Sequence, residues 1–189
     1  MGWGFLTVLV VLALVIAAGV ATYNGLVARR QRANQAFADI DVQMKQRHDL
    51  VPNLVETVKG YAAHEKSTLD AVIMARNSAM QAPTGSAGQM QAEGALSGAL
   101  GRLIALGEAY PDLKANTNFQ QLQTELADVE NKLAAARRFF NNAVGEYNGA
   151  IESFPAVLFA RSLGFVHRDF FDLGEDKRSA LDAPPSVKF

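Results

Sequence analysis

The stretch that decides how this chain is read is Leu6–Ala21, LTVLVVLALVIAAGVA, apolar except for Thr7. With Trp3, Gly4 and Phe5 ahead of it, the run approaches the roughly 20 residues an α-helix needs to cross a hydrocarbon core about 30 Å thick. No charged side chain occurs before Arg29. Every face of such a helix is apolar, and the buried helix of a soluble protein is the weaker alternative. Trp3 and Tyr23 stand at its two ends, where aromatic rings suit the membrane–water interfaces. A cleaved signal peptide is the rival reading, because Gly19-Val20-Ala21 offers small residues at a suitable spacing. Against it, no Lys or Arg precedes the run, and the run is longer than the roughly 7–15-residue core of a signal. An uncleaved anchor over residues 1–28 is expected. Arg29, Arg30 and Arg32 lie just past the span while no basic side chain precedes it. The positive-inside rule then places the amino terminus outside and the remainder in the cytoplasm, and Asp39 and Asp41 weigh little against it.

Composition limits the part beyond the anchor. The 189 residues hold 18 Lys and Arg against 19 Asp and Glu, a net charge of −1. A nucleic-acid binder needs a basic surplus for phosphate contacts, and none is present. Cysteine is absent, which removes disulfides, thiolate metal sites and cysteine nucleophiles. Abundant Ala, Leu, Gln, Glu and Arg favour helices.

Past the anchor the apolar positions recur in helical steps. A first block runs from Tyr23 to about Ala82, through Phe37, Ile40, Met44, Val51, Leu54, Val55, Val58, Tyr61, Leu69, Val72 and Ile73. No proline interrupts Tyr23–Met44, so the anchor is expected to continue into this helix. Pro52 would clash in a helix interior, whereas Asp49 can cap a new helix with Pro52 in its first turn. A break near His48–Asp49 is therefore expected. Pro83, Gly85 and Gly88 read as a loop. A second helix comes next, in which Gly94, Gly98 and Gly101 make a small-residue face that permits close approach of another helix. No Gly-Lys-Ser/Thr accompanies them, so they are not a phosphate-binding loop. The third block carries capping residues at Thr117 and Asn118, with Gln120 or Gln121 completing a capping box. Its stripe of Leu122, Leu126, Val129, Leu133, Ala136, Phe140, Val144, Tyr147, Ile151 and Phe154 ends at Pro155. Asp128 and Lys132 form a supportive pair on its outer face. The aromatic segment Phe159–Phe171 is expected to dock on the bundle, with a partner or the bilayer surface as alternatives because Arg161 and Arg168 are interleaved. Residues 173–189 are expected to be mobile.

Catalytic and metal-binding patterns fail one by one. His64-Glu65 lacks the second histidine a zincin helix needs, since Thr68 stands there. His48 and His167 have no acidic partner at ligand spacing on one face. Asp39 and Asp41 are two apart on a helix and point to different faces. No nucleophile elbow and no dinucleotide fingerprint are present. Each of these residues reads more simply as solvated. A non-enzyme without metal or cofactor is expected.

Several stretches together resemble one family. They are Tyr23-Asn24-Gly-Leu-Val with Arg29-Arg30, Ile40-Asp41-Val42-Gln43, and Asp49-Leu-Val-Pro52-Asn-Leu-Val-Glu-Thr-Val-Lys-Gly-Tyr61. Tyr110-Pro111-Asp-Leu-Lys, Ala136-Arg137-Arg138-Phe-Phe-Asn141, Tyr147-Asn148, Phe154-Pro155, Gly164-Phe165 and Phe170-Phe171 complete the series. The chain resembles the LemA family over nearly its whole length, departing at Phe139-Phe140, where a more polar arginine–tyrosine pair is expected. The resemblance implies a bacterial inner-membrane protein that is all-α. Its single transmembrane helix would continue into a cytoplasmic bundle of long antiparallel helices over residues 29–172, with no established catalytic activity. Tyr23, Asn24, Arg29, Arg30, Asp49, Pro52, Tyr147, Asn148, Phe165, Phe170 and Phe171 are the interaction residues these readings single out. Either asparagine could fix register in a bundle seam or simply bond at the surface. Expected partners are the lipid bilayer, further copies of the chain, and a membrane protein. The expected function is a non-catalytic scaffold that self-associates and organises or shapes membrane. The alternative is an adaptor or regulator of a membrane enzyme such as a membrane protease.

Overall fold

A computed structural model describes residues 2–171; the expected mobile stretch 173–189 lies outside the described residues. The described chain is all-helical. Its elements are α1 (Gly2–Lys59), α2 (Lys66–Gln81), α3 (Ala87–Ala109), α4 (Pro111–Lys114) and α5 (Thr117–Glu152), and then two 3-10 turns, Ala156–Leu158 and Arg161–Leu163. They form two compact units.

The first unit holds α1 up to Ile40, α5 from Ala135, and the segment to Phe170. The apolar part of α1 is long and apolar enough to cross a membrane, and none of it is buried by the protein. Beyond it α1 and α5 run antiparallel. Phe37 meets Phe140 edge-on at 5.6 Å between ring centroids, Arg32 pairs with Glu146 at 3.0 Å, and Leu26 packs with Tyr147 and Ile151. Advancing along α5 therefore retreats along α1. The last turn of α5 stops at Glu152, so Phe154 falls outside the expected stripe and is exposed. A cis peptide joins Phe154 to Pro155.

The second unit holds the rest of α1, then α2, α3, α4 and α5 up to Ala134. Val51, Leu54, Val58, Leu69, Val72, Leu96, Leu103, Leu113 and Phe119 fill its core. Gly107 is where α3 comes closest to the start of α5: a Cβ there would lie 2.6 Å from the Phe119 ring.

Three expectations at helix ends are corrected. No break occurs at His48–Asp49, and α1 passes through Pro52 to end at Lys59, the chain turning at Gly60–Glu65 instead. The physical reason lies in one bond. A proline at 52 denies the carbonyl of His48 its helical N–H donor, and Arg76 Nε on α2 supplies the missing donor at 2.7 Å. Asp49 is consequently no cap; it lies within the exposed face of α1, paired with Lys45 at 3.0 Å. At α5 the cap is Asn116 rather than Thr117 or Asn118: its Oδ1 accepts from the Phe119 N–H at 2.9 Å. Gly85, with φ of 75°, and Ser86, whose Oγ accepts from the Gln89 N–H, shape the α2–α3 loop; Gly88 already lies in α3. The Asp128–Lys132 pair forms as expected, at 2.6 Å.

Candidate functional site

The most unusual chemistry lies inside the second unit. Ile40, Met44, Val51 and Leu54 mark the inward phase of α1, and Arg47 falls on that phase. On α3 the inward phase is Leu96, Leu100 and Leu103, and Glu93 falls on it. Both side chains are completely buried and they pair with each other through Arg47 Nη2 and Glu93 Oε2. Arg47 Nη1 also donates to Glu130 Oε1 on α5 at 2.6 Å and to Ser97 Oγ at 2.8 Å. His48 Nε2 lies 2.8 Å from Glu93 Oε1; an ionised carboxylate only accepts, so Nε2 carries the hydrogen. Burial pushes the Glu93 carboxyl toward its neutral form. The hydrogen bond from His48, the charges of Arg47 and His48 and the bond from Arg47 together outweigh that, and hold its pKa below the ordinary 4.5.

Burying such charges costs several kcal/mol per ion and is offset only when each is paired and hydrogen-bonded. Here one guanidinium bonds groups on α3 and α5 from α1, so three helices are held at one set of rotations and heights. Each oxygen of Glu93 has a partner inside the bundle, Oε2 from Arg47 and Oε1 from His48, and the side chain is completely buried. The arrangement is suited to fixing register, a role well attested for buried polar groups. The expectation of a solvated His48 is therefore corrected. His64, Asp39 and Asp41 are exposed as expected, and exposed His167 faces Glu152 at 3.4 Å. No group of three or more His, Asp or Glu suited to a metal occurs among the described residues.

The residues singled out from sequence fall mostly in the first unit. Phe165 is buried there with Leu26, Tyr147 and Ile151. Tyr23 meets its ring edge-on at 5.5 Å and 76°, and the Arg30 guanidinium lies 5.0 Å from its centroid. Asn148 clamps the returning chain: its Nδ2 donates to the Arg168 carbonyl at 2.9 Å, and its Oδ1 accepts from the Arg168 N–H at 3.0 Å. Phe170 is half exposed beside Gly145. Asn24 and Arg29 face outward, Arg29 Nη1 donating to the Gly25 carbonyl at 3.3 Å. Asp49 and Pro52 are exposed on α1, and Phe171 is buried. The aromatic segment thus docks through Phe165 while other apolar side chains of it stay outside.

Sequence reasoning missed Arg47, Glu93, Ser97, Glu130 and Arg76. Two of them had a signal. A lone carboxylate on the leucine phase of an Ala- and Gly-rich helix, and a lone arginine on the core phase of α1, are charges of opposite sign at positions where water is excluded.

These features define a class: a membrane-associated, all-helical protein with one apolar helix fit to span a bilayer and a bundle that pairs its buried charges, Arg47 and Glu93, with each other. The chain belongs to the LemA family, whose sequence profile matches residues 36–189. It is also similar to magnetosome protein MamQ of Magnetospirillum gryphiswaldense, 28% identical over 174 residues that cover 79% of this chain and 64% of that protein. A second magnetosome protein, MamQ 2 of Paramagnetospirillum magneticum, is 26% identical over 205 residues, covering 93% of this chain and 74% of that protein. Protein LemA of Metamycoplasma hominis is 23% identical over 159 residues, covering 84% of this chain and 73% of that protein. The chain therefore spans somewhat less than two thirds of the first of these relatives.

Proposed function

We propose that this protein is a non-catalytic scaffold of the bacterial cytoplasmic membrane, crossing it once with the amino terminus outside and the bundle in the cytoplasm, and self-associating there. One observation carries the self-association: three glycines of α3 face no neighbour among the described residues. Gly94, Gly98 and Gly101 lie at steps of four and three, hence on one face, and a Cβ added at any of them meets nothing within 4 Å. Glycine in a helix interior costs about 0.5–1 kcal/mol relative to alanine. Three of them on an open face are intelligible if another helix approaches the backbone there. The similarity to two magnetosome proteins supports a scaffold role, and the arginines after the span support the orientation.

Cross-linking of the full chain in native membranes tests this reading. Discrete multimers are expected, and Gly98→Leu should abolish them while leaving helix content and detergent stability intact. A monomeric wild type, or multimers indifferent to Gly98→Leu, refutes the assignment; retention of a different membrane protein lost on removing the exposed aromatic residues would favour the adaptor instead.

A further inference from the structure

Apart from its buried anchor Phe165, the segment after α5 has its side chains arranged inside out for water. In Ser153–Val166 the small residues Ala156 and Ala160 are buried, at 3% and 1% exposure, whereas Phe154, Leu158 and Val157 stand 80%, 73% and 54% exposed. Leu163 and Val166 are exposed as well. A turn facing water normally shows its polar side chains and hides its large apolar ones. The position of the segment explains the inversion. Because α5 runs back along α1, its end arrives where the apolar span ends. Phe154, Pro155 and Ala156 line one groove with Ala21, Thr22 and Leu26. From Thr22 to the first charge at Arg29 the helix rises about 10 Å, enough to cross one interfacial layer of a bilayer. Phe154 therefore lies level with that layer, and Val157 and Leu158 follow it within one turn.

We propose that Ser153–Val166 is a second membrane contact, in which Phe154, Val157 and Leu158 enter the interfacial layer of the same bilayer that α1 crosses, beside the exit of that helix. The occupant is lipid rather than another protein because the patch continues the surface that the span already presents to lipid. Charge agrees with this. Arg161 is the only ionisable side chain in the segment and is exposed, as is Arg29 across the groove, while the flanking Glu152 faces His167. Exposed arginines beside an apolar patch suit anionic headgroups. Phe165, buried beneath Arg30 and against Tyr23, anchors the segment to the protein.

The inference rests on α1 spanning the bilayer but not on self-association. It is tested in the full chain, whose single tryptophan, Trp3, is changed to Phe so that one new tryptophan reports alone. Leu158→Trp and, as an independent site, Val157→Trp are compared with Met74→Trp on exposed α2. Each is placed in phosphatidylcholine–phosphatidylglycerol vesicles at low protein-to-lipid ratio. At 158 and 157, lipid brominated near the headgroup should quench about half the emission or more, and acrylamide should quench several-fold less than at 74. Tryptophans quenched by acrylamide as fully as at 74, and untouched by brominated lipid, overturn the proposal. Protection from both quenchers overturns it too, because protein would then cover the patch. A chain that fails to float with vesicles refutes the spanning helix and the proposal together, whereas a floating chain with a water-exposed reporter refutes the proposal alone.

Discussion

The passage of α1 through Pro52 yields a quantitative prediction. Proline at 52 leaves the carbonyl of His48 without its helical donor, and Arg76 Nε donates to that oxygen at 2.7 Å. Arg76→Met keeps most of the side chain's apolar stem and removes only the donor. Hydrogen bonds from charged groups are worth about 1.5–3 kcal/mol. Arg76 is half-buried, which moves its value to the lower end, about 1–2 kcal/mol. Pro52→Ala restores an N–H to the same carbonyl and relieves the ring clash, at the expense of a freer unfolded chain worth up to about 1 kcal/mol. In that background Arg76→Met should cost less than about 0.5 kcal/mol, because the oxygen keeps a donor. The four proteins form a double-mutant cycle, read by urea unfolding of the full chain in detergent micelles with far-UV circular dichroism. A coupling of about 1 kcal/mol or more is expected, and additivity within about 0.5 kcal/mol would falsify the account of why the helix does not break.

Three further outcomes are expected from the same structure. Glu93→Gln leaves Arg47 buried without full compensation and should destabilise by about 3–5 kcal/mol in the same urea assay, with Arg47→Met added to Glu93→Gln recovering part of the loss. The pKa of Glu93 is lowered on folding, so its contribution is complete above the ordinary 4.5 and is lost as pH falls through the folded value; wild-type unfolding midpoints should drop below about pH 4.5 more steeply than those of the double variant. Gly107→Ala drives a methyl into the Phe119 ring and should cost about 1–3 kcal/mol, whereas Gly101→Ala, in open space on the same helix, should stabilise the monomer by about 0.5–1 kcal/mol. Because the chain has no cysteine, Met74→Cys gives one labelling site; an impermeant maleimide should leave it unmodified in intact cells and modify it after lysis, and the reverse pattern inverts the topology.

What the sequence reveals and what it hides divide along a physical line. Long-range order carried by repetition is legible: the apolar run of α1 and the leucine stripe of α5 each emerge from composition and period alone. Sequence period also locates a charge on the core side of a helix, as with Arg47 beside Met44 and Val51, or Glu93 before Leu96 and Leu100. It does not say which opposite charge arrives from another helix, because the meeting of residues 46 positions apart is a property of packing. Pro52 shows the same limit from the other side. Local rules assign it to a helix start, and they are overruled by one guanidinium that bonds a carbonyl 28 positions away.

The two kinds of buried contact also explain why the chain needs both. Apolar side chains reward any rotation that removes them from water, so a stripe of leucines and valines on α1 tolerates sliding by a turn with little loss. A charge does not. If α1 slipped by one turn, Arg47 would leave Glu93, Glu130 and Ser97 together, and the uncompensated burial would cost several kcal/mol. In the first unit the corresponding constraint is directional bonding to a backbone: Asn148 accepts from and donates to the same residue, Arg168, so the segment carrying Phe165 can seat in only one register. A helical bundle that is to keep one surface fixed requires that kind of contact, and it is these polar residues, more than the leucine stripes, that allow only one register.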